Sequence, residues 1–266
     1  MLELRHVSKT FNPGTINEKK ALSDLNLHLA PGEFVTVIGG NGAGKSTLLN
    51  AVAGVWPIDS GSILLDGEDI TALPEHKRAV HIGRVFQDPM MGTAPNMQLE
   101  ENLALALRRG RKRGLKWGVT KLEREDYRAL LADLGLGLED RLTAKVGLLS
   151  GGQRQAVTLL MAALQRPKLL LLDEHTAALD PATAAKVLEL SDRIVSEAHL
   201  TALMITHNMT DAISHGDRLI MMDEGRIILD IGGEAKKKLT KRELIDRFAQ
   251  SAGYQLESDQ TLLSKN

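Results

Sequence analysis

Apolar and polar residues alternate near the start of the chain, over residues 2–7 and 25–29, as they do in half-buried antiparallel strands. The apolar stretches on either side of Asp66-Gly67 predict a hairpin, because this pair favours a tight turn. Residues 34–38 form a continuous apolar run typical of a buried strand, and residues 47–53 have a helical pattern. The pattern predicts a β-rich unit interrupted by one loop and helix.

The pattern changes between residues 88 and 147, where residues 99–107 and 122–134 predict amphipathic helices. We interpret this stretch as an inserted helical subdomain. Strand–helix alternation then resumes with a buried strand over residues 169–172 and a helix that begins at Asp180-Pro181. The order of elements favours an α/β fold.

Composition and charge exclude several classes of protein. The 266 residues are 43% hydrophobic and 25% charged, as in an ordinary globular chain. The formal net charge of -1 argues against a nucleic-acid partner. Since the chain has no cysteine, it has neither disulfides nor thiolate metal sites. With no secretory signal and no long apolar run in the sequence, we expect a soluble, cytosolic protein.

A glycine-rich segment joins the strand over residues 34–38 to the helix behind it and ends in Gly-Lys-Ser. In this setting, backbone N–H groups and the helix N-terminus bind nucleotide phosphates, while the lysine reaches the β- and γ-phosphates. The serine hydroxyl is a magnesium ligand in such loops. The sequence therefore predicts the nucleotide site of an ATPase or GTPase, formed by Gly39, Gly40, Asn41, Gly42, Ala43, Gly44, Lys45, Ser46 and Thr47.

Two further segments carry chemistry. Asp173 and Glu174 follow a buried strand, where Asp173 can hold the magnesium shell through water and Glu174 can polarise the attacking water. Two acids in this place also occur in helix-capping loops, but the phosphate loop favours the catalytic interpretation. Ser150, Gly151, Gly152 and Gln153 provide a second glycine-rich helix N-terminus, suited to another face of the nucleotide.

Leu149-Ser-Gly-Gly-Gln-Arg-Gln155 together with the phosphate loop resembles the ATP-binding subunits of ABC transporters over residues 2–229. The resemblance implies that Phe11 stacks on adenine and that His207 contacts the γ-phosphate. It also implies that Gln87 senses Mg²⁺ and the membrane partner. The dimer-contact loop it implies consists of Ala178, Leu179 and Asp180. Catalysis is then expected from Lys45, Glu174 and His207, and magnesium binding from Ser46, Gln87 and Asp173.

The implied architecture is an α/β P-loop NTPase (RecA-like) core with an antiparallel β-subdomain and an inserted α-helical subdomain. The ATPase domain is expected over residues 1–230, the helical subdomain over about 88–162, and a basic, then helical, extension over 231–266. The resemblance implies a homodimer that uses ATP and Mg²⁺ at the cytoplasmic face of the membrane. Its expected partners are permease subunits and an extracytoplasmic solute-binding protein, with no nucleic acid.

The segment Asp173-Glu-His-Thr-Ala-Ala-Leu-Asp180 is similar to that of importers of the amino-acid-uptake type. The alternative is a soluble ABC-type ATPase not coupled to transport, such as an iron–sulfur assembly factor. Many relatives carry proline where this chain has His175, which either tunes catalysis beside the γ-phosphate or is simply tolerated. The long loop from Phe11 to Lys20 affects how the Phe11 ring can stack on an adenine. The basic cluster over residues 108–117 is either a solvated loop or a contact for anionic headgroups or the permease.

Overall fold

The computed structural model describes residues 1–111, 114 and 118–251. The strands within these residues are β1 (Leu2–Phe11), β2 (Lys19–Leu29), β3 (Phe34–Gly39), β4 (Ser60–Leu65), β5 (Glu68–Asp69), β6 (Ile82–Val85), β7 (Leu169–Asp173), β8 (Thr201–Ile205), β9 (Arg218–Asp223) and β10 (Arg226–Gly232). The helices are α1 (Lys45–Ala53), α2 (Glu75–Arg78), α3 (Leu99–Leu107), α4 (Lys121–Ala132), α5 (Gly151–Ala163), α6 (Pro181–Glu197), α7 (Met209–Ser214), α8 (Gly233–Lys237) and α9 (Lys241–Ser251).

The N-terminal strands form an antiparallel sheet in the order β2-β1-β4-β5. The alternation predicted near the start of the chain is confirmed, because Leu25, Leu27 and Leu29 of β2 are buried while the residues between them are exposed. The predicted hairpin is also present: Asp66 and Gly67 both have positive φ and join β4 to β5. This sheet covers α1 and one face of the central sheet within a shared apolar core.

The second sheet has the order β10-β9-β3-β8-β7-β6, in which all strands except β10 are parallel to their neighbours. Asp173 at the end of β7 and Val37 near the end of β3 both pair with Ile205 of β8. The carboxyl ends of three strands therefore meet at one edge of the sheet. In open α/β sheets this edge is where ligands bind.

The helices α3, α4 and α5 lie between β6 and β7 in the chain and have an apolar cluster of their own, which includes Leu103, Tyr127, Leu131 and Val157. The bounds of α3 and α4 agree closely with the helices predicted over residues 99–107 and 122–134. The limits of the helical subdomain, about 88–162, stay a prediction. Sequence analysis did not anticipate the short elements α2 and β6. Among the described residues, no helix combines the length and apolar character that a membrane span requires.

Candidate active site

The glycine-rich loop, residues 39–46, packs closely against two other backbone segments. Gly39 has φ 153°, and a Cβ there would lie 2.2 Å from the carbonyl oxygen of Met222. Gly44 has φ 103°, and its Cβ would lie 2.4 Å from the carbonyl oxygen of Ala21. Only glycine fits these two positions without a backbone shift. The loop ends at the N-terminus of α1, which favours an anion.

Lys45 is folded back over this loop. Its ammonium donates hydrogen bonds to the carbonyl oxygens of Gly39, at 2.8 Å, and Gly40, at 3.1 Å. Burial lowers the pKa of Lys45, while the charges of Glu174 and Asp173 act in the opposite direction. The Lys45 Nζ thus lies against the loop, where phosphate oxygens could replace the two carbonyl groups as its acceptors.

Glu174 faces the same loop from the end of β7. Its backbone is left-handed, with φ 44°, and its N–H donates to the carbonyl oxygen of Ile205 at 3.1 Å. His207 follows β8, and its Nδ1 lies 3.6 Å from Glu174 Oε2, which is beyond hydrogen-bonding distance. Because β7 and β8 are adjacent, the two predicted catalytic side chains come together although 33 positions separate them (207 − 174).

The phosphate-loop cleft has a volume of about 300 Å³ and is lined by Phe11, Lys19, Ala21, residues 41–47 and Glu174. The structure thus places Phe11, the phosphate loop and Glu174 around one cleft, and their roles at a nucleotide stay predictions. The Phe11 ring packs edge-on against Trp56 at a centroid distance of 4.9 Å. Sequence analysis missed Lys19 and Trp56. Neither belongs to a motif: Lys19 reaches the cleft as the first residue of β2, and Trp56 contacts only the Phe11 ring there.

Asp173 does not line the phosphate-loop cleft. With Gln87, Asn50 and Arg84, it lines a neighbouring cleft of about 680 Å³. Arg84 donates to Asp173 Oδ2 and to Asn50 Oδ1, both at 2.9 Å. Asn50 in turn donates to the carbonyl oxygen of Ser46 at 2.8 Å, so that α1 links the two clefts. Sequence analysis missed Arg84 and Asn50 as well.

Ser46, Gln87 and Asp173 offer hydroxyl, amide and carboxylate oxygens, a donor set that suits a hard cation. Among the described residues there is no group of three or more His, Cys, Asp or Glu residues that could enclose a metal. Magnesium in nucleotide sites has few protein ligands and takes others from the phosphates. The chemistry of these oxygens suits Mg²⁺, but Ser46 lines the phosphate-loop cleft while Gln87 and Asp173 line its neighbour. Magnesium binding by the three residues stays a prediction.

Ser150 begins α5 as its N-cap. Its hydroxyl accepts from the Gln153 N–H at 3.2 Å, and the Gln153 side chain accepts from the Ser150 N–H at 3.2 Å. Ser150, Gly152 and Gln153 line a separate cleft of about 460 Å³, between α5 and α6. The Ser150–Gln153 segment and the phosphate loop of the same chain line different clefts.

The predicted dimer-contact loop, residues 178–180, lines two clefts and caps a helix. Asp180 begins α6 by accepting from the Thr183 N–H at 3.1 Å. Leu179 lines a cleft that also contains His207, and Ala178 lines the cleft of Gln87 and Asp173. Ala178 and Asp180 are exposed, so the loop is free to contact another surface.

His175 does not lie beside the phosphate site. Its ring is buried, with 2% exposure, and its Nε2 is 2.9 Å from the Ser191 hydroxyl on α6. Burial lowers the pKa of His175 to about 4; His215 adds to this effect and Asp192 opposes it. The expectation that this histidine tunes catalysis beside the γ-phosphate is therefore wrong. The hydrogen bond satisfies both buried side chains, so the structure is compatible with the alternative that the position tolerates histidine.

The basic cluster over residues 108–117 lies partly outside the described residues, which exclude 112, 113 and 115–117. Arg108 forms an ion pair with Glu123 at 2.6 Å. Arg109 donates to the carbonyl oxygen of Ala162 at 3.4 Å, and burial lowers its pKa. These two arginines therefore interact with the chain itself. Arg111 is exposed.

Comparison with known proteins gives a consistent result. Residues 22–177 match the family model described as ABC transporter. The chain is 46% identical over 249 residues to a tyrosine transport ATP-binding protein of Clostridioides difficile (strain R20291), covering 93% of this chain and 98% of the relative. It is 40% identical over 227 residues to a methionine import ATP-binding protein of Corynebacterium jeikeium (strain K411), covering 84% of this chain but only 59% of that protein.

Among solved structures, a dimeric ATP-binding cassette in a post-hydrolysis state, bound to ADP and phosphate, superposes with a TM-score of 0.74. The two sequences are 30% identical, and the match covers 87% of this chain and 98% of the other. This similarity confirms the α/β P-loop fold class predicted from the sequence.

Proposed function

The chain belongs to the ABC transporter ATP-binding family, and from that membership we propose that it powers the import of an amino acid. It is a subunit that binds ATP and hydrolyses it to ADP and phosphate to drive a membrane transporter. The assignment of an amino acid as substrate rests on the 46% identity to a tyrosine transport ATP-binding protein, a match that covers 98% of that relative. The relatives also favour transport over the alternative of a soluble assembly ATPase.

We propose that two copies form a dimer in which Ser150–Gln153 of one copy closes over the nucleotide of the other. This arrangement is supported by the position of the segment, which caps α5 away from its own phosphate loop. The dimeric state of the similar cassette supports it too. A helix N-terminus applied to the γ-phosphate from the second copy would add N–H donors and a favourable dipole.

The proposed mechanism assigns a role to each side chain. The loop over residues 39–46 and Lys45 bind the phosphates, and Phe11 stacks on the adenine. Ser46 and Asp173, with Gln87, would hold Mg²⁺, which neutralises phosphate charge when bound. Glu174 accepts a hydrogen bond from the attacking water and orients it toward the γ-phosphate, while His207 contacts that phosphate from the neighbouring strand end.

The remaining proposals follow from how transport ATPases work. The subunit sits at the cytoplasmic face of the membrane, beneath permease subunits that receive the energy of nucleotide binding and hydrolysis. An extracytoplasmic solute-binding protein delivers the amino acid. Residues 1–230 act as the ATPase domain, and residues 231–266 as an extension.

Substrate class is tested by reconstituting the ATPase with its permease and solute-binding protein in vesicles. We expect L-tyrosine or another amino acid to stimulate ATP hydrolysis by about tenfold, since the loaded binding protein favours the closed dimer. Spermidine serves as the control, because polyamine import ATPases also occur among the relatives. Stimulation by spermidine alone would overturn the amino-acid assignment.

The role of Glu174 and the dimer are tested together by substitution. Glu174→Gln keeps the shape of the side chain but removes its charge, so it should preserve ATP affinity, lose turnover and accumulate as an ATP-bound dimer on size-exclusion chromatography. Adding Ser150→Arg should restore the monomer, because a bulky cation blocks the helix N-terminus. Equal dimerisation with and without Ser150→Arg would contradict capping by the second copy.

A further inference from the structure

The residue that follows Glu174 has an unusual setting. His175 is 2% exposed and Ser191 is 1% exposed, so a polar pair is enclosed between the end of β7 and the middle of α6. A buried polar group destabilises the fold unless it is hydrogen-bonded, and an apolar pair of the same volume would fill this space without that requirement. The hydrogen bond between the two side chains meets this requirement and ties the residue after Glu174 to α6.

The direction of the hydrogen bond follows from the neighbouring groups. The Ser191 hydroxyl lies 2.8 Å from the carbonyl oxygen of Val187 and donates its proton there. Its oxygen is then the acceptor for His175 Nε2, at 2.9 Å. We assign the proton to Nε2 on this basis. The imidazole is thus a directed link from the peptide of residue 175 to α6.

This link lies next to a strained backbone conformation. Glu174 has φ 44°, a left-handed conformation that is unfavourable for a residue with a side chain. On one side its N–H is fixed to Ile205 of β8, at 3.1 Å. On the other side the next residue is fixed to Ser191 of α6. Because both flanks are anchored, the Glu174 side chain leaves the sheet toward the phosphate-loop cleft.

We infer that His175 is a positioning residue for Glu174, holding it in the left-handed conformation through its hydrogen bond to Ser191. The inference rests on the proposed role of Glu174 in orienting the attacking water. It also joins Glu174 to α6, the helix that begins at Asp180 of the proposed dimer-contact loop.

The test uses purified variants assayed for ATP hydrolysis in the permease complex, with ATP affinity measured separately. His175→Leu removes the donor at similar volume, and Ser191→Ala removes the acceptor. His175→Gln places an amide N–H near the position of Nε2. Ser196→Ala is the matched control, because Ser196 is exposed on the same helix and its hydroxyl donates to the carbonyl oxygen of Arg193 within that helix.

We expect His175→Leu to lower kcat by about tenfold or more, since misplacing a catalytic group by about 1 Å can cost about a hundredfold. KM and ATP affinity should change by less than about twofold, because Glu174 acts on the water and not on nucleotide binding. His175→Gln should recover most of kcat. Ser191→Ala should resemble His175→Leu, and the double variant should be no worse than either, as for one shared interaction.

The inference is overturned if folded His175→Leu or Ser191→Ala keeps wild-type kcat, or if His175→Gln is as impaired as His175→Leu. Should His175→Leu fail to fold, Ser191→Ala and His175→Gln decide between these outcomes. Loss of thermal stability with unchanged kcat would assign the pair to folding alone. Glu174→Gln separates the two claims: turnover by that variant would refute the role of Glu174, whichever result His175 gives.

Discussion

The guanidinium of Arg84 lies 2.9 Å from the carboxylate of Asp173, and the two side chains are 12% and 16% exposed. The same guanidinium donates to Asn50 and lies over the Phe86 ring, at 4.6 Å from its centroid. One side chain thus connects the end of β6, the end of β7 and α1. Arg84 thereby fixes the position of Asp173, the proposed magnesium ligand, relative to the phosphate loop.

This relationship predicts the effect of removing the cation. Arg84→Met should lower the free energy of unfolding by about 2 kcal/mol without nucleotide, because it leaves a mostly buried carboxylate unpaired. Arg84→Lys should lose less, since it keeps the charge but cannot reach Asp173 and Asn50 together. Urea denaturation measures both. If Arg84→Met is as stable as the wild type, this ion pair contributes nothing to the fold.

Close packing requires glycine at position 152 but not at position 151. A Cβ on Gly152 would lie 2.1 Å from Thr183 Cγ2, whereas a Cβ on Gly151 would lie 3.4 Å from Leu179. Gly152→Ala should therefore force α5 and α6 apart and cost about 1–3 kcal/mol of stability. Gly151→Ala should be tolerated in the same melting experiment.

The steric cause can be checked by relieving it. Thr183→Ser removes Cγ2, and in the Gly152→Ala background it should restore most of the lost stability. The alternative is that Gly152 is needed only for its backbone freedom. In that case Thr183→Ser would rescue nothing, and the packing explanation would be rejected.

Lys236 on α8 predicts a pH dependence of stability. It is 2% exposed and donates hydrogen bonds to Thr36 and to the carbonyl oxygens of His215 and Gly216. Burial lowers the pKa of Lys236 to about 8, and the charges of Asp217 and Asp192 oppose the shift. Between that pKa and the usual 10.5, the unfolded chain binds a proton that the folded chain does not. Stability from this group therefore rises with pH across that window.

The prediction is measured as a difference between two proteins. The free energy of unfolding of the wild type minus that of Lys236→Met should increase by about 2–3 kcal/mol from pH 7 to pH 10. Lys237→Met is the control, since Lys237 is exposed and forms a surface ion pair with Glu234. A difference that stays constant with pH would show that the folded state leaves this pKa unchanged.

Local patterns predicted much of this molecule because their signals lie within a few residues of the structures they form. The buried strand, glycine-rich loop and helix over residues 34–53 are one such case, and the Asp66-Gly67 hairpin is another. By contrast, Arg84 meets Asp173 across 89 positions, and His175 meets Ser191 across 16. Neither pair belongs to a periodic pattern. Only the packing of β6, β7 and α6 brings their members together.

A nucleotide site shared between two copies is tested most directly by complementation between two inactive subunits, Lys45→Ala and Ser150→Arg, mixed before assembly with the permease. If each nucleotide is bound by the phosphate loop of one copy and capped by the other, a mixed dimer has one intact site. Since random pairing makes about half of the dimers mixed, about a quarter of wild-type ATP hydrolysis should return. Mixing Lys45→Ala with Glu174→Gln should restore nothing, because both changes affect the same half of each site. Hydrolysis that stays at background in the first mixture would contradict the shared site.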